Sequence, residues 1–199
     1  LGPWARVVAD YRSFLDQELG EHYGAARKLV KSIDPHHAVS FRMSCAGDPT
    51  YNWDNALPYD FYGLVDGVDI WAPEAYGRIG DWERVKAGAF TAAYARLCDP
   101  SKPLMWAEMG YTVWDANRMA PDPHKLAFEA DYFSNFYRMM IESGANGVFF
   151  WWYPGGVRRG ENSDFGIINP DGSDRPVTKV IRSLGPKFLA APPPGRPDE

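Results

Sequence analysis

Apolar residues recur along the chain at two spacings that alternate. From Asp10 to Ile33 they return every three or four residues, which predicts one amphipathic helix that ends at Asp34 and Pro35. Beyond it, short apolar runs alternate with further helical patterns. They predict strands at 37–44, 67–76, 103–108 and 147–153, and helices at 56–64, 81–98, 123–143 and 175–184. The order is a helix, then strand and helix four times over.

Local signals define the ends of the longest of the later helices. Asp122 suits the N-cap, Pro123 the first helical position and Gly144 the stop. Near the end of the chain, proline becomes frequent. This composition predicts a domain over 1–188 followed by a disordered end or linker at 189–199.

The predicted strands are nearly continuous apolar runs, which is typical of a parallel sheet covered by helices. The fold class is therefore α/β, with parallel strands alternating with helices. Right-handed crossovers leave two architectures, a doubly wound open sheet or part of a (β/α)8 TIM barrel. No GxGxxG or GxxxxGK[ST] motif follows a predicted strand, which disfavours a nucleotide-binding sheet.

Composition narrows the classes of partner. The chain has 199 residues, 45% of them hydrophobic, which is enough for the core of one globular domain. Its 21 basic residues are interleaved with 26 acidic ones, so neither nucleic acid nor a membrane surface is a predicted partner. No apolar run reaches the roughly 18 residues of a membrane span, and no cofactor motif or metal-ligand pattern occurs. Secreted and cytoplasmic locations both remain open.

Polar and aromatic side chains gather where the predicted strands end. In parallel α/β architectures the carboxyl ends of the strands surround the ligand crevice. The four strands deliver to that end, in chain order, Arg42, Glu74 with Tyr76, Glu108, and Trp151 with Trp152. Carboxylates, a phenol and flat indole rings at one rim predict a carbohydrate site, because sugars combine hydroxyl groups with an apolar ring face.

Neighbouring positions extend this candidate site. Trp53, in the loop after the first strand, is placed to stack on a sugar, and Glu161, in the loop after the fourth, is placed to bind a hydroxyl group. Trp106 lies two residues before Glu108, so strand alternation predicts both side chains on the face that lines a barrel interior. Trp71 is expected in the core.

Three segments carry a resemblance to a known family. They are VDGVDIWAPEAY, KPLMWAEMG, and GANGVFFWWYPGG with the following ENSDFGIINPDGSDRP. They resemble the C-terminal half, strands five to eight, of the retaining (β/α)8 glycoside hydrolases of the cellulase, mannanase and β-galactosidase superfamily, over residues 10–188. The resemblance implies that Glu108 is the catalytic nucleophile, that Tyr76 hydrogen-bonds it, and that Trp151 or Trp152 forms the floor of the sugar subsite.

The sequence departs from the family pattern around these residues. Glu74 stands where strand six usually carries a histidine, and Ala107 and Met109 replace the usual Thr or Ser and Phe beside Glu108. The family's Asn-Glu pair, which supplies the general acid/base, has no counterpart. We therefore expect a fragment of an enzyme that hydrolyses a β-linked oligo- or polysaccharide by retaining double displacement, inactive alone, with its acid/base on an N-terminal half.

Two roles and one alternative follow from this expectation. A nucleophilic Glu108 has to stay ionised, which a positive neighbour such as Arg42 would favour, while Glu74 is expected to bind substrate or tune the charge. Because four strands cannot close a barrel, the chain is expected to associate with an N-terminal half-barrel segment or a second copy. The alternative is a non-catalytic carbohydrate-binding or scaffold fragment that oligomerises.

Overall fold

The computed structural model describes residues 2–43, 61–75 and 82–192, with the backbone alone at 82–87. In these ranges helices alternate with parallel strands, as the sequence predicts. The elements are α1 (Ala5–Ile33), a 3-10 helix (Tyr62–Gly67), β1 (Glu74–Ala75), α2 (Trp82–Cys98), β2 (Met105–Met109), β3 (Trp114–Asp115), β4 (Ala120–Pro121), α3 (Pro123–Ser143), β5 (Gly147–Phe150) and α4 (Pro176–Ala190).

Helix α3 begins and ends where its local signals predict. The Asp122 carboxylate accepts hydrogen bonds from the backbone N–H groups of His124, at 2.8 Å, and Lys125, at 3.0 Å. Gly144 follows the last turn in the left-handed conformation, with φ 63°. These contacts satisfy backbone groups that the helix itself leaves unpaired, so both ends are fixed by neighbours in sequence.

Two helices are longer than the sequence predicts. α1 begins five positions before Asp10, and α4 continues past Leu184 and through Pro186. The extra length of α4 brings Phe188 against Tyr137 of α3, with ring centroids 6.1 Å apart. This contact between helices is not visible in the local pattern. Residues 193–199 of the predicted tail lie outside the described residues.

Strands β1, β2 and β5 form a parallel sheet in the order β1-β2-β5. The register places Glu74 of β1 opposite Glu108 of β2. On the other side of β1, Met43 makes a parallel bridge to Pro73, so the segment before residue 44 lies along that edge. Sequential neighbours along the chain are therefore neighbours in the sheet.

Of the predicted strand at 37–44, only Met43 makes a β-bridge among the described residues. The prediction is therefore wrong for residues 37–42. Side chains replace part of the expected backbone ladder. The Asp69 carboxylate accepts the Val39 N–H at 2.8 Å, and the Ser40 hydroxyl donates to the Ile70 carbonyl at 2.6 Å. Such side-chain bonds compete with regular pairing and leave the segment extended but irregular.

An irregularity in β2 decides which face each of its side chains takes. The register with β5 shifts between Trp106 and Met109, where β2 contains one more residue than β5. Trp106 and Met109 consequently share the buried face, and Trp106 packs against Phe136 of α3 with ring centroids 5.2 Å apart. The prediction that Trp106 lines a barrel interior beside Glu108 is wrong, because the extra residue reverses the alternation.

The core lies between the sheet and the helices, chiefly α2 and α3. Aliphatic residues and methionines make up most of it, while most of its largest side chains are aromatic. The prediction of Trp71 as a core residue is confirmed, since Trp71 is fully buried. Each large apolar side chain that is buried stabilises the fold by about 1.5–3 kcal/mol. The largest buried apolar side chains are Trp71, Trp106, Tyr132, Phe61, Phe133 and Phe136.

A short hairpin that the sequence pattern did not predict follows β2. Its strands β3 and β4 are antiparallel, and the Asp115 carboxylate accepts the N–H of Asn117 at 2.9 Å inside the turn. The buried Trp114 donates its indole N–H to Oδ1 of Asn162 at 3.1 Å. The hairpin is thereby attached to the loop that follows β5.

Candidate active site

Two glutamates lie side by side at the carboxyl end of the sheet. Glu74 and Glu108 are register partners on β1 and β2, and neighbouring strands lie about 4.8 Å apart. Both side chains are shielded, with 6% of Glu74 and 14% of Glu108 exposed. Two neighbouring carboxylates repel each other, and a positive charge beside both reduces that repulsion.

Arg42 supplies that positive charge. Its Nε lies 2.5 Å from Oε1 of Glu74, and its Nη1 donates a hydrogen bond to Oε1 of Glu108. The arginine is next to Met43, whose bridge to Pro73, just before β1, brings it alongside the sheet. Its side chain is 59% exposed, so the cluster of Arg42, Glu74 and Glu108 opens to solvent on the arginine side. We call these three residues the carboxylate cluster.

The end of β2 packs closely on the segment after β5. Trp151 donates its backbone N–H to the Met109 carbonyl at 2.7 Å. A Cβ at Gly110 would lie 2.1 Å from the carbonyl oxygen of Trp151, a distance that no side chain can occupy. The glycine therefore lets the strand that carries Glu108 approach the chain that carries the tryptophans.

Trp151 and Trp152 present their rings next to a cation. The ring centroids are 5.5 Å apart with a tilt of 35°, and the peptide bond between the two residues is cis. The guanidinium carbon of Arg158 lies 4.7 Å from the Trp151 centroid and 4.5 Å from the Trp152 centroid. Both distances are in the range of a cation–π contact, so Arg158 covers part of the predicted sugar floor.

Glu161 lies in the loop after β5, as predicted, and is close to the same arginine. Its Oε1 is 2.9 Å from Nη1 of Arg158, and its Oε2 accepts a hydrogen bond from the Ser163 hydroxyl at 3.0 Å. The Glu161 side chain is 45% exposed. Through Arg158, the structure brings Glu161 together with the tryptophan pair.

A buried ion pair below this rim was missed by sequence reasoning. Arg175 donates to both oxygens of Asp164, at 3.1 and 2.7 Å, and also to the Gly166 carbonyl and to Asn169. Burial by itself would raise the pKa of Asp164, but the Arg175 and Gly166 hydrogen bonds hold it below its usual value. The pair fixes the loop between β5 and α4. Its sequence signal is an arginine directly before the Pro176 that starts a helix.

A second missed residue is Glu129, on the buried face of α3. Its side chain is fully buried, and neither carboxyl oxygen has a hydrogen-bond partner among the described residues. Burial raises the pKa of Glu129 to about 9, with Arg175 lowering it and Asp164 raising it further. Glu129 is therefore protonated at neutral pH. Its signal was a glutamate at the helical spacing of the core residues Phe133 and Phe136.

Two predicted site residues, Tyr76 and Trp53, lie outside the described residues, and their roles stay predictions. No group of three or more potential metal-binding side chains occurs in residues 2–43, 61–75 and 82–192. Among the helices of that part of the chain, none combines the length and the apolar character needed to cross a bilayer.

No protein-family model and no curated protein matches the chain, whereas solved structures do. Glycoside hydrolase GH5_18 from Streptomyces cattleya, in complex with GlcNAc, matches with a TM-score of 0.67 and 14% identity, over 92% of this chain and 45% of its own. A variant of that enzyme in complex with Manβ1-4GlcNAc matches with a TM-score of 0.66 and 16% identity, over the same shares of the two chains. The chain therefore shares the fold of nearly half of this glycoside hydrolase.

A third structure extends this likeness to another family. Xylanase 10B from Thermotoga maritima matches with a TM-score of 0.65 and 12% identity, over 85% of this chain and 53% of its own. These neighbours are glycoside hydrolases of the TIM-barrel type. The chain spans about half the length of each of these three structures.

Proposed function

We propose that this chain carries the nucleophile of a retaining glycoside hydrolase that acts on a β-linked oligo- or polysaccharide. The observation that supports it is Glu108, a shielded carboxylate paired with Arg42 at the carboxyl end of a parallel strand, in a glycoside hydrolase fold. A nucleophilic carboxylate has to be ionised and held in one orientation. The arginine favours both.

The reaction would proceed in two displacements at the anomeric carbon. First, an oxygen of Glu108 bonds to that carbon while the bond to the leaving oxygen breaks, and a carboxylic acid gives the leaving oxygen its proton. Water then attacks the same carbon, the ester to Glu108 breaks, and the carboxylate formed in the first step takes the proton of the water. Glu74 already serves as a partner of Arg42, so we assign the acid/base to an N-terminal segment.

The remaining site residues receive supporting roles in this proposal. Glu74 holds Arg42 against Glu108, and Tyr76 is the hydrogen-bond donor to the nucleophile. Trp151 and Trp152 form the floor for the sugar ring. Trp53 and Glu161 contact further sugar units from the loops around the rim.

We also propose that the sheet is the C-terminal half of a (β/α)8 barrel, completed by an N-terminal half-barrel segment or by a second copy. The TIM-barrel neighbours and the half-length match support this arrangement. Phe149 of β5 is 61% exposed although it lies in a strand. In closed barrels the interior is filled by side chains, so an added half would cover such a position.

Replacement of the nucleophile tests the proposed function. In the complete protein, Glu108→Gln is expected to lower kcat on activated aryl β-glycosides by on the order of 10³-fold or more, since the amide cannot form the glycosyl ester. Sugar binding by calorimetry should persist. Glu142→Gln, an exposed change on α3, is the matched control and should leave kcat unchanged.

A trapping experiment identifies the attacked residue directly. A 2-deoxy-2-fluoro glycoside with a good leaving group forms a long-lived ester with a retaining nucleophile, and mass spectrometry of peptides should find the sugar on the segment 103–110. Undiminished turnover by Glu108→Gln, or a label on another carboxylate, would refute the assignment of Glu108.

A non-catalytic carbohydrate-binding module is the second candidate function. The observation that favours it is that one arginine engages both Glu74 and Glu108, so the cluster has the form of a structural ion pair as well as of a catalytic one. This function predicts saturable oligosaccharide binding by the complete protein, no product at any substrate concentration, and no label from the fluoro-sugar.

A further inference from the structure

Two hydrogen-bond donors beside the tryptophan pair are buried without a hydrogen-bond partner in the described part of the chain. They are Nε1 of Trp152 and Nη1 of Arg158. Because the guanidinium carbon lies 4.5 Å from the Trp152 centroid, the two donors belong to one small site. A buried donor that makes no hydrogen bond is unfavourable, so the pair indicates a position where a ligand supplies a well-aligned acceptor.

The loop around Arg158 is built to hold this arginine in place. Arg158 and Ser163 form an antiparallel bridge, in which the Arg158 N–H donates to the Ser163 carbonyl at 2.8 Å. Asn162 takes a left-handed conformation, with φ 50°, and accepts the Trp114 indole N–H at 3.1 Å. The loop is therefore joined to the β3–β4 hairpin, and Arg158 stays over the indole rings.

Glu161 indicates which kind of group fits beside Arg158. Its carboxylate is within ion-pair distance of Nη1, at 2.9 Å, yet the alignment does not make a hydrogen bond. Glu161 is also the more exposed partner, at 45% against 27% for Arg158. A carboxylate that is half-exposed and poorly aligned can be replaced by one that enters from solvent.

We propose that Arg158, Trp151 and Trp152 form a subsite for a sugar unit that carries a carboxylate, a uronic acid, which takes the place of Glu161. A guanidinium group binds a carboxylate through two parallel N–H donors, whereas a neutral hydroxyl leaves its charge unpaired. The Trp152 indole N–H supplies a further donor, and the apolar face of the sugar packs on the uncovered indole surface. This inference rests on the proposed function, since it names the substrate class of the same rim.

The charge of the sugar is the variable that tests this subsite. Calorimetry on the complete protein with Glu108→Gln, which keeps substrates intact, compares trisaccharides of galacturonic, glucuronic and mannuronic acid with their methyl esters. Methyl esterification removes the negative charge of the uronic acid carboxylate and leaves the sugar ring unchanged. At low salt, at least one acid is expected to bind about tenfold more tightly than its ester, and added salt should reduce the ratio.

Two variants and one control assign the preference to this loop. Arg158→Gln is expected to bring the acid-to-ester ratio to about one. Glu161→Gln should tighten binding of the acid, because the competing carboxylate is gone. Arg159→Gln removes the same charge from the exposed neighbouring residue and should leave the ratio unchanged.

Each outcome decides either the subsite or the whole site. Three results would overturn the uronic acid subsite. They are equal binding of every acid and its ester, an acid preference that survives Arg158→Gln, and tighter binding of a sulfated trisaccharide than of the uronic acids. If neutral glycosides are still hydrolysed in those cases, the proposed function stands. Absence of both binding and turnover with every sugar would overturn the two together.

Discussion

Three glutamates show how local surroundings decide what one residue type does in this protein. Glu108 is shielded and forms an ion pair with Arg42 near solvent. Glu129 is fully buried in α3 without a hydrogen-bond partner among the described residues, so it keeps its proton. Glu142, on the same helix, is exposed. The first arrangement suits chemistry, and the second reduces stability at high pH.

Glu129 should make the free energy of unfolding fall as pH rises. The unfolded chain releases this proton near pH 4.5 and the folded protein keeps it up to about pH 9, so between these values the unfolded state binds fewer protons. Stability is highest below pH 4.5 for this group and decreases above it. Between pH 4.5 and pH 7 the loss is on the order of 3 kcal/mol. Urea unfolding of the wild type and Glu129→Gln at several pH values measures it.

The comparison isolates one titration, because every other group is common to both proteins. Glu129→Gln should have a flatter profile than the wild type between pH 4.5 and pH 9, and Glu142→Gln should follow the wild type. Parallel profiles for Glu129→Gln and the wild type would show that Glu129 titrates normally and is reached by water.

At the level of strands and helices, the irregularity in β2 and the glycine after it set the geometry of the rim. The extra residue between Trp106 and Met109 sends Trp106 to the helices. Glu108 lies between them and reaches Arg42. Gly110 then allows β2 and the chain after β5 to touch. The position of Glu108 consequently depends on contact between two elements far apart in sequence.

Gly110→Ala tests that contact. The new Cβ would meet the Trp151 carbonyl at 2.1 Å, so β2 and the tryptophan segment have to separate, at a cost of about 1–3 kcal/mol in unfolding free energy. Under the proposed function kcat falls as well, because Glu108 moves. Gly160→Ala is the control, since no atom lies within 4 Å of its added Cβ. Equal stability of the two variants by urea unfolding would contradict the packing.

The features predicted from sequence are those fixed by local interactions. Asp122 and Gly144 mark the ends of α3 through contacts within a few residues, and both were predicted. The bulge in β2 depends on pairing with β5, and the irregular first strand depends on Asp69, so neither could be inferred from local spacing. In the candidate site, the position of Glu108 at the end of a predicted strand allowed it to be predicted from the sequence. That Arg42 joins it to Glu74 follows only from the sheet register.

For the molecule as a whole, the notable feature is an exposed apolar face on the first half of α1. Trp4, Val8 and Tyr11 lie one helical turn apart and are 72%, 52% and 59% exposed. An exposed apolar patch on a protein often marks a site of interaction with another molecule. In the proposed half-barrel arrangement, such a face would lie on the helix next to the strands of the other half.

The isolated 199-residue chain, of 22.4 kDa, is therefore expected to self-associate through α1. In sedimentation velocity its average mass should rise above the monomer value with concentration, and the double variant Val8→Glu with Tyr11→Lys should shift it back towards the monomer. Leu189→Lys, at a site 82% exposed on α4, is the control and should change nothing. A longer protein that includes the proposed N-terminal half should instead be insensitive to concentration, with the α1 double variant lowering its unfolding free energy, because the face is then internal. A chain that stays monomeric at all concentrations, with and without these substitutions, would contradict an interface on α1.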